Sequence, residues 1–202
     1  LMRIIGYADG VEQMVAIAGP EPTPWLYDDR LRMIGISFSL DGTGNARTAW
    51  MKQAATGLPR IASTPLRNQM SRAAMDGFQI ALTAHGDGAV DEALAAFAEM
   101  SATYSGDRRW RIDGIEAIQP DYDAQFLSGH VTPVLGKDQT TQPSLLPLIR
   151  NPLVAAGSFA PAGQAAPFAA MAGRMAKQPD IAAILASMTR NPAKAAFADG
   201  RI

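Results

Sequence analysis

The sequence contains no cysteine, which excludes disulfide bonds, thiolate metal ligands and a cysteine nucleophile. It also lacks an excess of either charge, because 18 lysines and arginines stand against 19 aspartates and glutamates among 202 residues. The arginines are scattered apart from Arg108, Arg109 and Arg111, whereas proteins that bind nucleic acid carry a dense basic surface. We therefore expect no nucleic-acid partner.

Long apolar runs are absent as well, since none approaches the roughly 20 residues that a membrane-spanning helix needs. The first residues also lack the basic segment and apolar run of an export signal. We therefore expect a soluble, cytoplasmic protein without a membrane partner. Hydrophobic residues make up 48% of the chain, which supplies enough apolar material for a core. The length favours one large domain over residues 1–202.

Short apolar segments alternate with Ala-rich amphipathic segments along the chain, which is typical of βα units and a mainly parallel sheet. Strands are predicted at residues 1–7, 34–40, 78–83, 131–135 and 153–157, and a strand followed by a turn at 110–118. Helices are predicted at 11–18, 65–76, 90–104, 120–127, 167–177, 180–189 and 193–198, and residues 137–151 are predicted to form a long loop. About six strands are fewer than the eight of a (β/α)8 barrel. The pattern fits either an open α/β sheet or a barrel without its first strands.

His85 is the candidate functional residue that follows directly from this pattern. It comes after the predicted strand 78–83 and opens the next helix within the segment AHGDGAVD. The carboxyl ends of parallel strands are where α/β enzymes hold ligands and catalytic groups. The alternative is a purely structural helix start, in which Asp87 caps free N–H groups and His85 only packs.

Four segments resemble, in the same order, motifs of amidohydrolase family 3. AHGDGAVDEALAAFAEM (84–100) is similar to the family's strand 5 segment HAIGDRAVDxALDAFE, and ISFSLDGTGNARTAWM (36–51) to the strand 4 segment KxFADGSxGSRTAxL. WRIDGIEAIQPDY (110–122) resembles the strand 6 segment RIEHAQxIxPED, and GSFAPAG (157–163) the strand 8 segment GSDAPV. The resemblance implies a partial or degenerate (β/α)8 TIM barrel of about six parallel strands with flanking helices. It extends from roughly strand 3 to the helix after strand 8, and the subtype is similar to N-substituted formamide deformylases.

The same resemblance implies chemistry. Family members use a metal, commonly zinc, to activate water for hydrolysis of C–N bonds in amides and formamides. Their ligands are an HxH pair, a carboxylated lysine or a carboxylate on strand 4, histidines on strands 5 and 6, and an aspartate on strand 8 that is also the general base. Here only the strand 5 ligand is present, as His85. The positions on strands 4, 6 and 8 are Ser37, Gly114 and Phe159, and no HxH occurs because His130 is the only other histidine.

Three protein ligands are the usual minimum of a catalytic zinc site, so we expect no cofactor on this chain alone, although the resemblance implies zinc. A metal site rebuilt from other side chains is the alternative. The candidate donors are Asp41, Asp87, Asp113, Glu116, His130 and Asp138.

Three functions stay open at this point. The first is a catalytically impaired amidohydrolase, or pseudoenzyme. The second is an active member whose missing strands lie in a longer product or a partner chain. The third is a non-catalytic small-molecule-binding or assembly protein, with a mouth lined by Trp50, His85 and Phe159. An incomplete barrel exposes strand edges, so we expect a homo-oligomer or association with the missing half of the barrel.

Overall fold

The computed structural model describes residues 3–54, 56–136, 143–157 and 180–200. Within these residues, six parallel strands form one sheet in which each strand pairs with the next along the chain. The strands are β1 (Ile4–Ala8), β2 (Leu31–Ser39), β3 (Gln79–Thr83), β4 (Arg111–Asp113), β5 (Thr132–Leu135) and β6 (Ala155–Ala156). The sheet curls into a half-barrel with helices on its outer side, which confirms the predicted partial TIM barrel and excludes the flat open sheet.

Seven helices lie between and after these strands in the described part of the chain. They are α1 (Val11–Ala18), α2 (Ser63–Met75), α3 (Asp87–Thr103), α4 (Tyr122–Ser128), α5 (Leu146–Arg150), α6 (Ile181–Met188) and α7 (Arg190–Ala195). The helix predicted at 167–177 lies outside the described residues. No helix in the described ranges combines the length and the apolar character that crossing a bilayer requires.

The predicted loop at 137–151 is wrong over its second half, where a 3-10 turn (Pro143–Leu145) leads into α5. The prolines there suggested a loop, but Pro147 lies in the first turn of α5, where a missing N–H costs nothing. Leu145 and Leu148 are fully buried, so contacts with the rest of the fold stabilise this short helix.

The core lies between the outer face of the sheet and the helices. Alternate residues of a strand point to opposite faces, and one set, Ile36 and Phe38 of β2 with Ile80 and Leu82 of β3, lies in one apolar cluster with residues of α1, α2 and α3. The opposite set faces the concave inner side. This second set includes Tyr7, Ser37, Ser39, Gln79, Thr83, Arg111 and Asp113. The inner face is therefore polar, whereas the interior of an intact TIM barrel is filled mainly by branched apolar side chains.

Candidate functional site

Asp41 is the buried carboxylate that holds the start of α3 in place. It follows β2 and is only 2% exposed. Its Oδ1 accepts a hydrogen bond from the backbone N of His85 at 3.0 Å, and its Oδ2 accepts from the backbone N of Gly86 and of Trp50, each at 2.9 Å. All three donors are backbone amides, so Asp41 fixes the loop after β3 to the loop after β2. The sequence offered it only as a possible donor of a rebuilt metal site, and its two oxygens are already engaged.

His85 lies at the carboxyl edge of the sheet, as predicted, and its imidazole pairs with Glu116. The His85 Nδ1 is 3.1 Å from Glu116 Oε1, and the two side chains are 16% and 28% exposed. The other carboxylate oxygen, Oε2, accepts from the backbone N of Gly44 at 2.9 Å. The backbone N of Glu116 in turn donates to the carbonyl of His85 at 2.9 Å. When Nδ1 carries the proton, this arrangement leaves Nε2 as the free acceptor of the ring.

Gly114 lies directly beside the His85 ring. A Cβ built at this glycine would be 2.9 Å from His85 Cε1, and its φ is +83°. The fold thus brings His85 and Gly114 together. These residues occupy the positions of the family's strand 5 and strand 6 histidines, as the motif alignment requires. Ser37 lies deeper on the inner face, where it pairs in register with Ala81. Phe159 lies outside the described residues.

Asp87 and His130, two of the other suggested metal ligands, do not converge on His85. Asp87 is buried at the start of α3, but it does not cap the helix as the structural alternative supposed. Its carboxylate accepts from the backbone N of Lys52 (2.8 Å) and from Gln119 Nε2 (2.6 Å), and has no hydrogen bond to the N–H groups of α3. The reason is that Gly86 occupies the N-cap position. His130 precedes β5, at the opposite edge of the sheet from His85.

No three His, Asp or Glu side chains within the described ranges come together in a way that fits a metal ion. Asp138, the remaining candidate donor, lies outside those ranges. The described residues around His85 therefore do not by themselves fit the zinc centre that the motif resemblance implies, because one imidazole and one carboxylate fall short of three protein ligands.

A charged pair lies on the inner face, below the level of His85. Arg111 Nε is 3.1 Å from Asp113 Oδ1, and the guanidinium lies 4.2 Å from the ring centre of Tyr7. Burial raises the pKa of Asp113, and Arg111 opposes that rise. Burial also raises the pKa of Tyr7 to about 12, against the influence of Arg111, and the Tyr7 hydroxyl donates to Gln79 Oε1.

Arg111 Nε and Asp113 Oδ1 are both buried and form an ion pair with each other, but the geometry between them falls short of a hydrogen bond. The sequence carried a signal for the pair, since residues two apart on a strand share a face. The inner face can therefore both donate hydrogen bonds to a polar molecule and accept them from it.

Comparison with known proteins gives a family and a fold. The model of the amidohydrolase family matches residues 2–129. An uncharacterized metal-dependent hydrolase from Pyrococcus furiosus superposes with a TM-score of 0.79 at 20% identity, over 98% of this chain and 47% of that chain. A second one, from Pyrococcus horikoshii OT3, has a TM-score of 0.71 at 18% identity, over 84% of this chain and 41% of that chain.

A third structure, a Xaa-Pro dipeptidase with bound methionine in its active site, has a TM-score of 0.55 at 14% identity, over 96% of this chain and 49% of that chain. This chain thus spans less than half the length of each of the three, and at these identities the likeness shows the fold. The search of curated proteins finds no match.

Proposed function

Because the chain belongs to the amidohydrolase family, we propose that it is a barrel half of the C–N hydrolase type whose own residues no longer hold the catalytic metal. In such hydrolases the metal supplies activated water. Amides and N-substituted formamides are the substrate class that the motif resemblance favours for the scaffold. On this proposal the chain by itself is catalytically impaired.

The observation that supports the proposal best is the glycine beside His85. A second imidazole at position 114 would have to share the space of the His85 ring, since even a Cβ there lies 2.9 Å from His85 Cε1. In addition, the Nδ1 side of His85 faces Glu116, whose second oxygen is held by the backbone N of Gly44. Ser37 offers only a hydroxyl at the position where the family has a lysine or a carboxylate.

Metal analysis of the purified chain tests this proposal. The protein is produced with zinc in the medium, separated from free metal by gel filtration and measured by inductively coupled plasma mass spectrometry. We expect a zinc content far below one ion per chain and no hydrolysis of N-substituted formamides.

The matched variants are His85→Ala and His130→Ala, which remove the two histidines of the chain in turn. One zinc per chain that is lost in His85→Ala and kept in His130→Ala would contradict the proposal. Formamide turnover with the same dependence on His85 would contradict it as well.

A second candidate function is binding of a small molecule or of another protein segment on the polar inner face. The buried ion pair of Arg111 and Asp113 favours it, since Nε and Oδ1 do not meet in hydrogen-bond geometry and both atoms can still bond a polar group. Among the residues that the structure describes, the sheet ends at β1 and β6, and a closed barrel has eight strands. We propose that a second copy or a complementary barrel half covers this face.

Light scattering coupled to size-exclusion chromatography tests the assembly. A self-associating chain elutes with a mass above that of one copy. Asp113→Asn is expected to alter the distribution, while Asp76→Asn, at the residue that follows α2, leaves it unchanged. A monomer at every concentration, with no complementary half recovered from the source cells, would contradict it.

A further inference from the structure

A basic cavity of about 810 Å³ lies at the amino-terminal edge of the sheet, on the opposite side from His85. It is formed by the segment before β4, the turn before β5 and helix α7. The side chains that matter for the argument are Arg108, Trp110, His130, Arg190 and Lys194. The volume falls within the range of roughly 300–1,000 Å³ that is usual for small-molecule sites. We propose that this cavity binds a small organic anion through a phosphate or carboxylate group.

The charge balance of the cavity favours an anion. Arg109 is already engaged, because it pairs with Asp107 at 2.8 Å and with Asp199 at 2.7 Å. Arg108 donates only to backbone carbonyls, those of Ser105 and Ala74, each at 3.1 Å. A guanidinium has five N–H donors, so Arg108 retains donors for a ligand.

Helix α7 adds two further cations to this cavity. Arg190 and Lys194 are exposed, are four residues apart and so share one face of α7, and neither forms an ion pair within the described ranges. Four basic side chains against the two carboxylates that hold Arg109 leave a net charge of +2. Such a site attracts an anion whose oxygens accept hydrogen bonds from the basic side chains.

Trp110 supplies a probe of this cavity. Its side chain lines the cavity, is 2% exposed and stacks on Phe97 with ring centres 5.2 Å apart. Its indole Nε1 is buried and has no hydrogen-bond partner in the part of the chain that the structure describes. The ring therefore borders the cavity although its N–H is not exposed in it, and the indole resonance can report a ligand bound to the neighbouring basic side chains.

Nuclear magnetic resonance of the indole N–H groups tests the proposal directly, since the chain has three tryptophans. Trp25→Phe and Trp50→Phe assign the Trp110 resonance by elimination. Inorganic phosphate and citrate are titrated separately, each against sodium chloride at the same ionic strength. We expect a saturable shift of the Trp110 resonance with phosphate, with citrate or with both, and the comparison tells which group is preferred. No shift with either probe would overturn the proposal.

The charge of α7 is tested with a double variant, Arg190→Gln with Lys194→Gln. Both side chains are exposed, so their replacement is expected to leave the fold unaffected. Loss of two charge-assisted contacts is expected to weaken binding by about tenfold or more. The matched control is Arg47→Gln with Arg60→Gln, an equal charge change on exposed residues after β2, at the opposite edge of the sheet. Equal weakening by both double variants would mean that only the overall charge matters and would overturn the proposal.

Discussion

Removal of the Asp41 carboxylate is the perturbation that tests the architecture of the candidate site. Asp41 accepts three hydrogen bonds from the backbone amides of Trp50, His85 and Gly86, at 2.9 to 3.0 Å. In the variant Asp41→Ala these amides lose their acceptor. The loops after β2 and β3 then lose the group that joins them.

The magnitude follows from these contacts. A hydrogen bond to a charged group contributes about 1.5–3 kcal/mol, and a buried donor left without a partner costs about 1–3 kcal/mol. Three such bonds give an upper limit of roughly 5–9 kcal/mol, which water reduces because Trp50 and His85 are partly exposed. We therefore expect Asp41→Ala to lower the free energy of unfolding by about 3–5 kcal/mol, a large share of the stability of an ordinary domain. Asp41→Asn keeps one acceptor oxygen and is expected to cost less.

Urea denaturation followed by circular dichroism measures this loss, and hydrogen exchange reports the amides of His85 and Gly86 individually. The matched control is Asp76→Ala, because Asp76 pairs with an arginine side chain that is 64% exposed, and its urea midpoint should stay near that of the original chain. The reasoning is refuted if Asp41→Ala changes stability no more than this control, or if the two amides stay protected.

Three further substitutions test other parts of the fold. Gly114→Ala is expected to lower stability by about 1–3 kcal/mol, because φ is +83° and the new Cβ meets the His85 ring; an unchanged melting temperature would contradict it. Gly86→Ala should cost more than Gly114→Ala in the same assay, since its Cβ would lie 2.1 Å from the backbone O of Trp50, and the reverse order would be incompatible with the packing described. Leu148→Ala should lower stability by about 2–5 kcal/mol, because Leu148 is a fully buried side chain of α5. A variant as stable as the original chain would instead support the loop that the sequence predicted there.

Much of the fold was predictable because its signals are local. Apolar periods of about two and about 3.6 residues predicted the strands and helices from 4 to 135, and α1 begins and ends at the predicted residues. Where the pattern was overridden by distant contacts, the prediction was wrong. Leu145 and Leu148 are buried by the rest of the fold, and nothing within residues 137–151 could indicate that.

The candidate site divides in the same way. Because His85 directly follows an apolar strand, its location at the carboxyl edge of the sheet could be predicted. The ordered motifs indicated the amidohydrolase family. The partner of that histidine could not be predicted, because Glu116 is 31 residues away and meets His85 only through the pairing of β3 with β4. Asp87 is another example, since its contacts come from Lys52 and Gln119 rather than from its own helix.

The three neighbouring arginines show most directly what the sequence could not predict. They form one basic cluster in the sequence, but their side chains have different surroundings in the structure. Arg111 points to the inner face, Arg109 pairs with Asp199, and Arg108 lines a cavity completed by α7. By itself the sequence determined the periodic elements, their order and the residue types available for chemistry, because these depend on near neighbours along the chain. Only the tertiary structure decided which side chains meet, because hydrogen bonds and ion pairs act over a few ångströms in space, whatever the separation in sequence.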